Sequence, residues 1–349
     1  MAKVIVGMSG GVDSGTAAYL LKQAGCEVIG LTLLTNPQGG QSREIEDARR
    51  IAEKLQIPYY APNVADLFDE RVKQPFYDAY LHGQTPNPCI ECNRVLKWDR
   101  LLYYAAELGA DYVATGHYAS VVQLPNGRYT VRQADFAEKD QTYMLYRLSQ
   151  DQLAHTLMPL GKYSKPEVRR IAEQAGLKVA RKRDSQEICF VTDGNYADYI
   201  LRDPKRTVPG EGNFVSEDGK VLGRHRGIIH YTVGQRKGLI AAGFPIYVKE
   251  IKADTNEVVL ASEGSLYRSE IRCGRLNFMG IPGIEAGETL RARVKIRYHH
   301  AGEQASIRRD GDDSASIFFD APVRAATPGQ SAVFYDDQDC IIGGGIITN

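Results

Sequence analysis

Two short stretches of the 349-residue chain carry residue types that do chemistry. The first, SGGVDS at 9–14, lies between a β-branched run, KVIVGM at 3–8, and a helix-like stretch at 16–23. Gly10 and Gly11 let backbone N–H groups turn toward an anion at a helix N-terminus, and Ser9, Ser14 and Thr16 add hydroxyl donors. Asp13 suits a magnesium ligand or a loop orienter, because a hard cation prefers carboxylate oxygen. Two glycines alone make only a tight strand-to-helix turn, so the order of residues matters more, and without a Gly-Lys-Ser/Thr ending this is not the usual P-loop. The second stretch, TPNPCIECN at 85–93, sets Cys89 and Cys92 before a helical pattern that Asn93 can cap. A thiol at a helix N-terminus has a lowered pKa, so Cys92 is expected to be reactive, with Pro86 and Pro88 stiffening the approach. Cys-x-x-Cys is also half of a zinc site, but no second pair has zinc spacing. Cys189, in SQEICF at 185–190, is the other candidate, although a lone cysteine is more often a buried small hydrophobe. Cys26, Cys273 and Cys340 sit in apolar strand-like contexts and are assigned to packing.

The elements that must position these residues alternate strand and helix. Strands are expected at 3–8, 27–34, 57–61 and 111–115, and helices at 16–23, 42–55 (with Ile45, Ala48, Ile51, Ala52 and Leu55 at helical spacing), 93–108, 149–157 and 165–175. That rhythm predicts a doubly wound parallel sheet with crossover helices. Ligands of such sheets bind beyond the carboxyl ends of the strands, where Leu33 and Gly116 fall. Asn126-Gly127 marks a hairpin within 118–133. From about Val208 the pattern becomes short strands with glycine-rich turns. The expected organisation is an α/β domain over 1–207, a small central β module over 208–265 and a C-terminal β-barrel over 266–349.

Composition bounds the class. A hydrophobic fraction of 43% and a charged fraction of 25% are those of a folded globular protein, and no apolar run reaches the length of a membrane span. The N-terminus enters a strand with no cleavable leader pattern, and six cysteines are too sparse for a secreted disulfide scaffold, so a cytoplasmic location is expected, with no membrane partner. With 43 basic against 43 acidic residues, any RNA-binding role must come from local charge placement.

Six ordered blocks, SGGVDS (9–14), TPNPCIECN (85–93), ATGHYA (114–119), KDQTYMLY (139–146), SQEICF (185–190) and YTVGQRKGL (231–239), resemble the tRNA-specific 2-thiouridylase family through nearly the whole chain. The resemblance implies a PP-loop ATP pyrophosphatase domain of the adenine nucleotide alpha hydrolase type, and a reaction in which ATP, with Mg2+, adenylates the uridine O2. Cysteine-carried sulfur then attacks C2 and expels AMP. By this resemblance Gly7, Met8, Ser9, Gly10, Gly11, Val12, Asp13 and Ser14, with Leu33 and Gly116, form the ATP site. Cys92 carries the persulfide or attacks the activated base, and Cys189 is its partner in a disulfide formed as sulfur is released. Asn87, Pro88 and Cys89 match the target-base segment, while His117, Lys139, Asp140, Gln141, Arg297, Tyr298 and Gln330 match tRNA contacts. On the residues alone, His117 reads rather as a strand-end histidine with a structural hydrogen bond. The implied partners are tRNAs with a wobble uridine, of the Lys, Glu and Gln type, and a persulfide donor or relay protein.

Two departures stand out. Cys89 occupies a position where many members have Asp, and Gly15 replaces a serine that often follows the loop. The first opens a second mechanism, in which Cys89, Cys92 and Cys189 ligate a [4Fe-4S] cluster with one open iron. Charge placement adds an RNA face. LRARVKIRY at 290–298 puts Arg291, Arg293, Lys295 and Arg297 on one side of a strand with no acidic residue in the run, and Lys178, Arg181, Lys182 and Arg183 cluster before Cys189.

Overall fold

A computed structural model describes residues 1–36, 43–182, 188–191, 194–204, 206–241, 243–285 and 287–348. Seven strands fall in the first unit: β1 (Lys3–Gly7), β2 (Glu27–Leu31), β3 (Tyr59–Tyr60), β4 (Tyr112–Ala114), β5 (Ala119–Gln123), β6 (Tyr129–Gln133) and β7 (Thr156–Leu157). Five make a parallel sheet in the order β3-β2-β1-β4-β7, and β5 and β6 pair as a separate hairpin. β1 is the central strand and its Val4, Ile5 and Val6 are wholly buried, as the near-continuous apolar run of a doubly covered strand requires. Successive side chains face opposite sides. Val4 and Val6 enter the core under α1 (Val12–Gln23) and α2 (Arg43–Leu55), and Ile5 enters the opposite one. All five apolar positions of α2 are buried. Strand order reverses between β1 and β4, so the loops leaving those neighbours open a crevice at their carboxyl ends.

The remaining helices are α3 (Ala65–Phe68), α4 (Gln74–Leu81), α5 (Pro88–Cys92), α6 (Trp98–Glu107), α7 (Gln150–Ala154), α8 (Lys165–Gln174) and α9 (Tyr196–Leu201). Three expectations need correction. The third strand shrinks to two residues, the helix expected over 149–157 stops at Ala154, and Thr156–Leu157 becomes the edge strand against β4. A capping box, Ser149 with Gln152, starts that short helix, and Thr156 then binds the Gln152 carbonyl and the Trp98 indole N–H (2.7 Å). The cysteine-bearing helix begins at Pro88, not at Asn93. Asn87 is its N-cap, accepting the Cys89 N–H at 3.1 Å, and proline is tolerated at the first helical position because its missing N–H would have no partner there.

The central module joins β8 (Gly212–Ser216), β9 (Val221–His225), β10 (Tyr247–Lys252) and β11 (Glu257–Ala261) in the order β10-β11-β8-β9. The last unit is a closed six-stranded antiparallel barrel of β12 (Tyr267–Phe278), β13 (Thr289–Lys295), β14 (Glu303–Arg309), β15 (Ser314–Arg324), β16 (Ser331–Tyr335) and β17 (Ile341–Ile347). It is fused to the first unit through a shared core, where Val131, Tyr143 and Tyr146 pack with Val333, Tyr335 and Ile341. Gly344 makes this approach feasible: a Cβ there would lie 2.7 Å from the Tyr146 ring and 2.6 Å from the Ala332 carbonyl. No helix of the described residues is long and apolar enough to cross a membrane.

The basic strand also differs from its expected form. Arg291 pairs with Asp320 at 2.7 Å, Arg293 with Asp339, and Lys295 approaches Asp140 at 4.0 Å. The neutralising carboxylates come from other strands and loops, so a run with no acidic residue of its own is still largely paired.

Candidate active site

The SGGVDS loop leaves β1 and closes on the N-terminus of α1. Gly10 adopts φ +69°, and a Cβ there would sit 2.0 Å from the Glu44 carbonyl oxygen, so only glycine fits. Gly116, after β4, lies against the same loop, where a Cβ would stand 2.7 Å from Asp13 C and Ser14 N. The Ser9 N–H and Ser14 hydroxyl lie 3.2 Å apart within the turn. Met8 and Val12 are buried in the core, so the loop offers their backbone and not their side chains. Gly15 faces Ile51 and Leu177, with a Cβ position 3.1 Å from the Ile51 methyl. A side chain there points into the core, so the loop loses no phosphate donor by carrying glycine.

Asp13 is held from two sides. Lys165, at the start of α8, reaches both carboxylate oxygens at 2.7 and 2.8 Å, and the Tyr118 hydroxyl donates to one at 2.7 Å. Lys182 adds a second ammonium, 2.8 Å from Asp47 and 3.3 Å from the Gly10 carbonyl. With both oxygens engaged, Asp13 fits the part of loop orienter and not that of a direct magnesium ligand.

The thiols gather one layer away. Cys92 is buried in an apolar cluster with Val64, Phe68, Val72 and Leu96, against which Leu33 and Phe190 also pack. That cluster joins the strand edge carrying Leu33 to the segment carrying Cys189. Burial pushes the Cys92 thiol up to about 12, eased by Lys97 and reinforced by Cys189 and Cys89. The expected dipole activation is therefore absent: Cys92 closes the first helical turns instead of opening them, and desolvation outweighs the charge effects. Cys89 is half-buried and also raised by burial. Cys189 is exposed, contrary to the packing reading, yet its thiol is still raised, first by desolvation and then by Cys89. All three are free thiols. Among the described residues no three His, Cys, Asp or Glu side chains are disposed to hold a metal ion. His117 bonds Thr115 at 2.8 Å, and burial followed by Lys97 lowers it to about 3, leaving a neutral imidazole.

Three family models match along the chain: the tRNA methyl transferase HUP domain over residues 2–193, the tRNA methyl transferase PRC-barrel domain over 204–262 and the aminomethyltransferase β-barrel domain over 268–347. A tRNA-specific 2-thiouridylase MnmA of Lachnoclostridium phytofermentans is 50% identical over 99% of both chains. Its namesake in Clostridioides difficile is 47% identical over 99% of this chain and 98% of its own. The chain belongs to the tRNA-specific 2-thiouridylase family. Among solved structures, the U34-tRNA thiolase NcsA from Methanococcus maripaludis with its [4Fe-4S] cluster matches 57% of this chain and 63% of its own at 21% identity and a TM-score of 0.36.

Within this thiouridylase, the residues expected to touch RNA are mostly engaged internally. Asp140 is buried and accepts from the Thr142 hydroxyl (2.7 Å), Gln133 (3.2 Å) and the N–H groups of Ala134 and Thr142 (3.3 Å each). Gln141 accepts the Tyr118 N–H at 3.0 Å, Arg297 donates to the Arg324 carbonyl at 3.0 Å, and Gln330 donates to the Thr85 carbonyl at 2.8 Å. Lys139 and Tyr298 are half-buried. The second basic cluster divides: Arg181 pairs with Glu173, Lys182 turns to the loop, and Arg183 lies outside the described residues, as do 185–187 of the Cys189 motif. Sequence reasoning missed Tyr118 and Lys165 and placed Lys182 only in an RNA-facing basic cluster, because each is distant in sequence from the loop it touches. The only local signal at Lys165 is the capping box of Ser164 and Glu167 around it.

Proposed function

We propose that this chain uses ATP to replace the C2 oxygen of a tRNA wobble uridine with sulfur, in the cytoplasm where tRNA resides. The observation that carries the reading is the single apolar cluster in which Cys92 packs with Leu33 and Phe190, because it links the nucleotide edge of the sheet to both cysteine segments. The loop from Gly7 to Ser14, backed by Gly116, binds ATP through backbone N–H groups, with Leu33 beside the base. Asp13, fixed by Lys165 and Tyr118, orients the loop. Magnesium bound with the triphosphate would neutralise phosphate charge there.

Attack of uridine O2 on the α phosphorus forms the adenylate and releases pyrophosphate, turning a poor leaving group into AMP. Cys189 is exposed and so is the thiol that a persulfide donor protein can reach, whereas Cys92 is enclosed. The terminal persulfide sulfur on Cys189 bonds to C2, the C2–O bond breaks and AMP leaves with the electron pair. Cys92 Sγ then attacks Cys189 Sγ, its proton passing to the 2-thiouridine anion that leaves. Sulfur stays on C2 as the S–S bond breaks, and a Cys92–Cys189 disulfide remains, which a dithiol reductant must reopen. Asn87, Pro88 and Cys89 bound the pocket for the flipped base, and Lys139, Arg297, Tyr298 and Gln330 lie on the RNA side. The test is thiolation of unmodified tRNA by persulfide-loaded, iron-free protein with ATP, read by nucleoside digest. 2-Thiouridine with tRNA-dependent pyrophosphate release is expected. 4-Thiouridine, or sulfur transfer only after iron loading, overturns it.

A further inference from the structure

The cysteine-bearing helix has a feature that this reaction scheme leaves unused. Its middle turn, Asn93–Lys97, is π-helical, and the Trp98 N–H closes it on the Asn93 carbonyl. Residues five apart stand about 140° apart round a regular α-helix. A turn of i→i+5 hydrogen bonds brings them to one side, and such turns are frequent at functional sites. The pair so aligned is Cys92 and Lys97.

Lys97 is half-buried, and among the described residues its ammonium makes no ion pair. Of the carboxylates on the same helix, Glu91 is already taken by Arg94 at 3.1 Å and by Arg147, and Asp99, two residues on, accepts from Gln152 at 2.8 Å. Withdrawing an ammonium from water without an anion is unfavourable, so its surroundings call for a charge that arrives later. Among the described residues, the groups shown to feel that charge are thiols and an imidazole. From the same helix come Cys89 and Cys92, from the segment after α8 comes Cys189, and from the loop after β4 comes His117; all four feel the Lys97 charge. The other cation acting on Cys189, Lys73, is 3.5 Å from Asp69.

We propose that Lys97, turned onto the Cys92 side by the π turn, is the counter-charge for the terminal sulfur anion of the cysteine persulfide during its attack on C2. This rests on the thiolation reading above. Lys97 gives and takes no proton: sulfur bonds to C2, AMP departs with the electron pair of the broken C2–O bond, and the ammonium offsets the charge on the sulfur before the bond forms.

The test uses the full chain as Lys97→Met and Lys97→Arg. Pyrophosphate release with tRNA should stay within about twofold of wild type in both, while single-turnover sulfur transfer from the persulfide-loaded protein falls by about tenfold or more in Lys97→Met and recovers in Lys97→Arg. A second readout needs neither tRNA nor sulfur: the ratio of Cys189 reaction rates with anionic dithiobis-nitrobenzoate and with neutral dithiodipyridine. It should drop severalfold in Lys97→Met, return in Lys97→Arg, and in wild type decline as salt screens the ammonium. Sulfur transfer undiminished in Lys97→Met, or a wild-type ratio that ignores both salt and the substitution, overturns the proposal. Failure of wild type to release pyrophosphate with tRNA would instead overturn the thiolation reading, with the reagent ratio still reporting on Lys97. If Lys97→Met does not fold, the salt response of wild type decides.

Discussion

The nucleotide loop and the thiol cluster lie at the same edge of one sheet and are built in opposite ways. Around the loop the buried and half-buried carboxylates have partners: Asp13 is bonded by Lys165 and Tyr118, and Asp47 by Lys182. Gly10 and Gly116 let backbone pack at distances no side chain would permit. Around the thiols the groups wait. Cys92 is protonated and buried, Lys97 lacks an anion, and the Asn93 side-chain oxygen and Arg147 Nε have no hydrogen-bond partner among the described residues. The contrast implies that the ATP half of the site is preformed, whereas the sulfur half is completed by substrate.

The sharpest break of that comparison is Cys92→Ser. Sulfur transfer should fall by about a thousandfold or more, because a hydroxyl cannot resolve a persulfide, while tRNA-dependent pyrophosphate release persists. Loss of both would mean that the halves are not separable. Gly116→Ala attacks the other half. Its Cβ meets loop backbone at 2.7 Å, so pyrophosphate release should drop by about a hundredfold, with thiol alkylation rates unchanged.

Thiol reactivity sharpens the comparison without substrate. At pH 7 a neutral alkylating reagent should label exposed Cys189 about tenfold faster than enclosed Cys92, by mass mapping. The Cys92 rate should climb as pH rises from 9 toward about 12. The sign for stability follows from a folded pKa raised above the unfolded one. The contribution is full below pH 9 and is lost between 9 and about 12, where the unfolded thiol ionises first. The smallest effect belongs to the support beneath both halves. Thr156→Val leaves the fully buried Trp98 indole N–H without its acceptor and should cost about 1–3 kcal/mol of unfolding free energy, with sulfur transfer unaffected.

Legibility in the sequence follows the same division. The SGGVDS turn can be read because local glycine geometry fixes its backbone, and the parallel sheet because β1 is apolar on both faces. Lys165 cannot be read, since only the fold brings it to Asp13 from 152 residues away. Cys92 misleads because Asn93 looks like a cap, whereas Asn87 followed by Pro88 starts the helix earlier and carries the thiol inside. LRARVKIRY misleads in the same way, its counterions Asp320, Asp339 and Asp140 standing on neighbouring elements. Charge pairing and thiol burial are tertiary properties, and a linear pattern reports neither.

The measurement that tests the account most directly is one turnover of iron-free protein persulfidated at Cys189, mixed with ATP and unmodified tRNA and analysed for both nucleosides and disulfides. The account predicts one 2-thiouridine and one Cys92–Cys189 disulfide for each AMP released. Thiolated tRNA with both cysteines still reduced, or no thiolation until iron is restored, would contradict it.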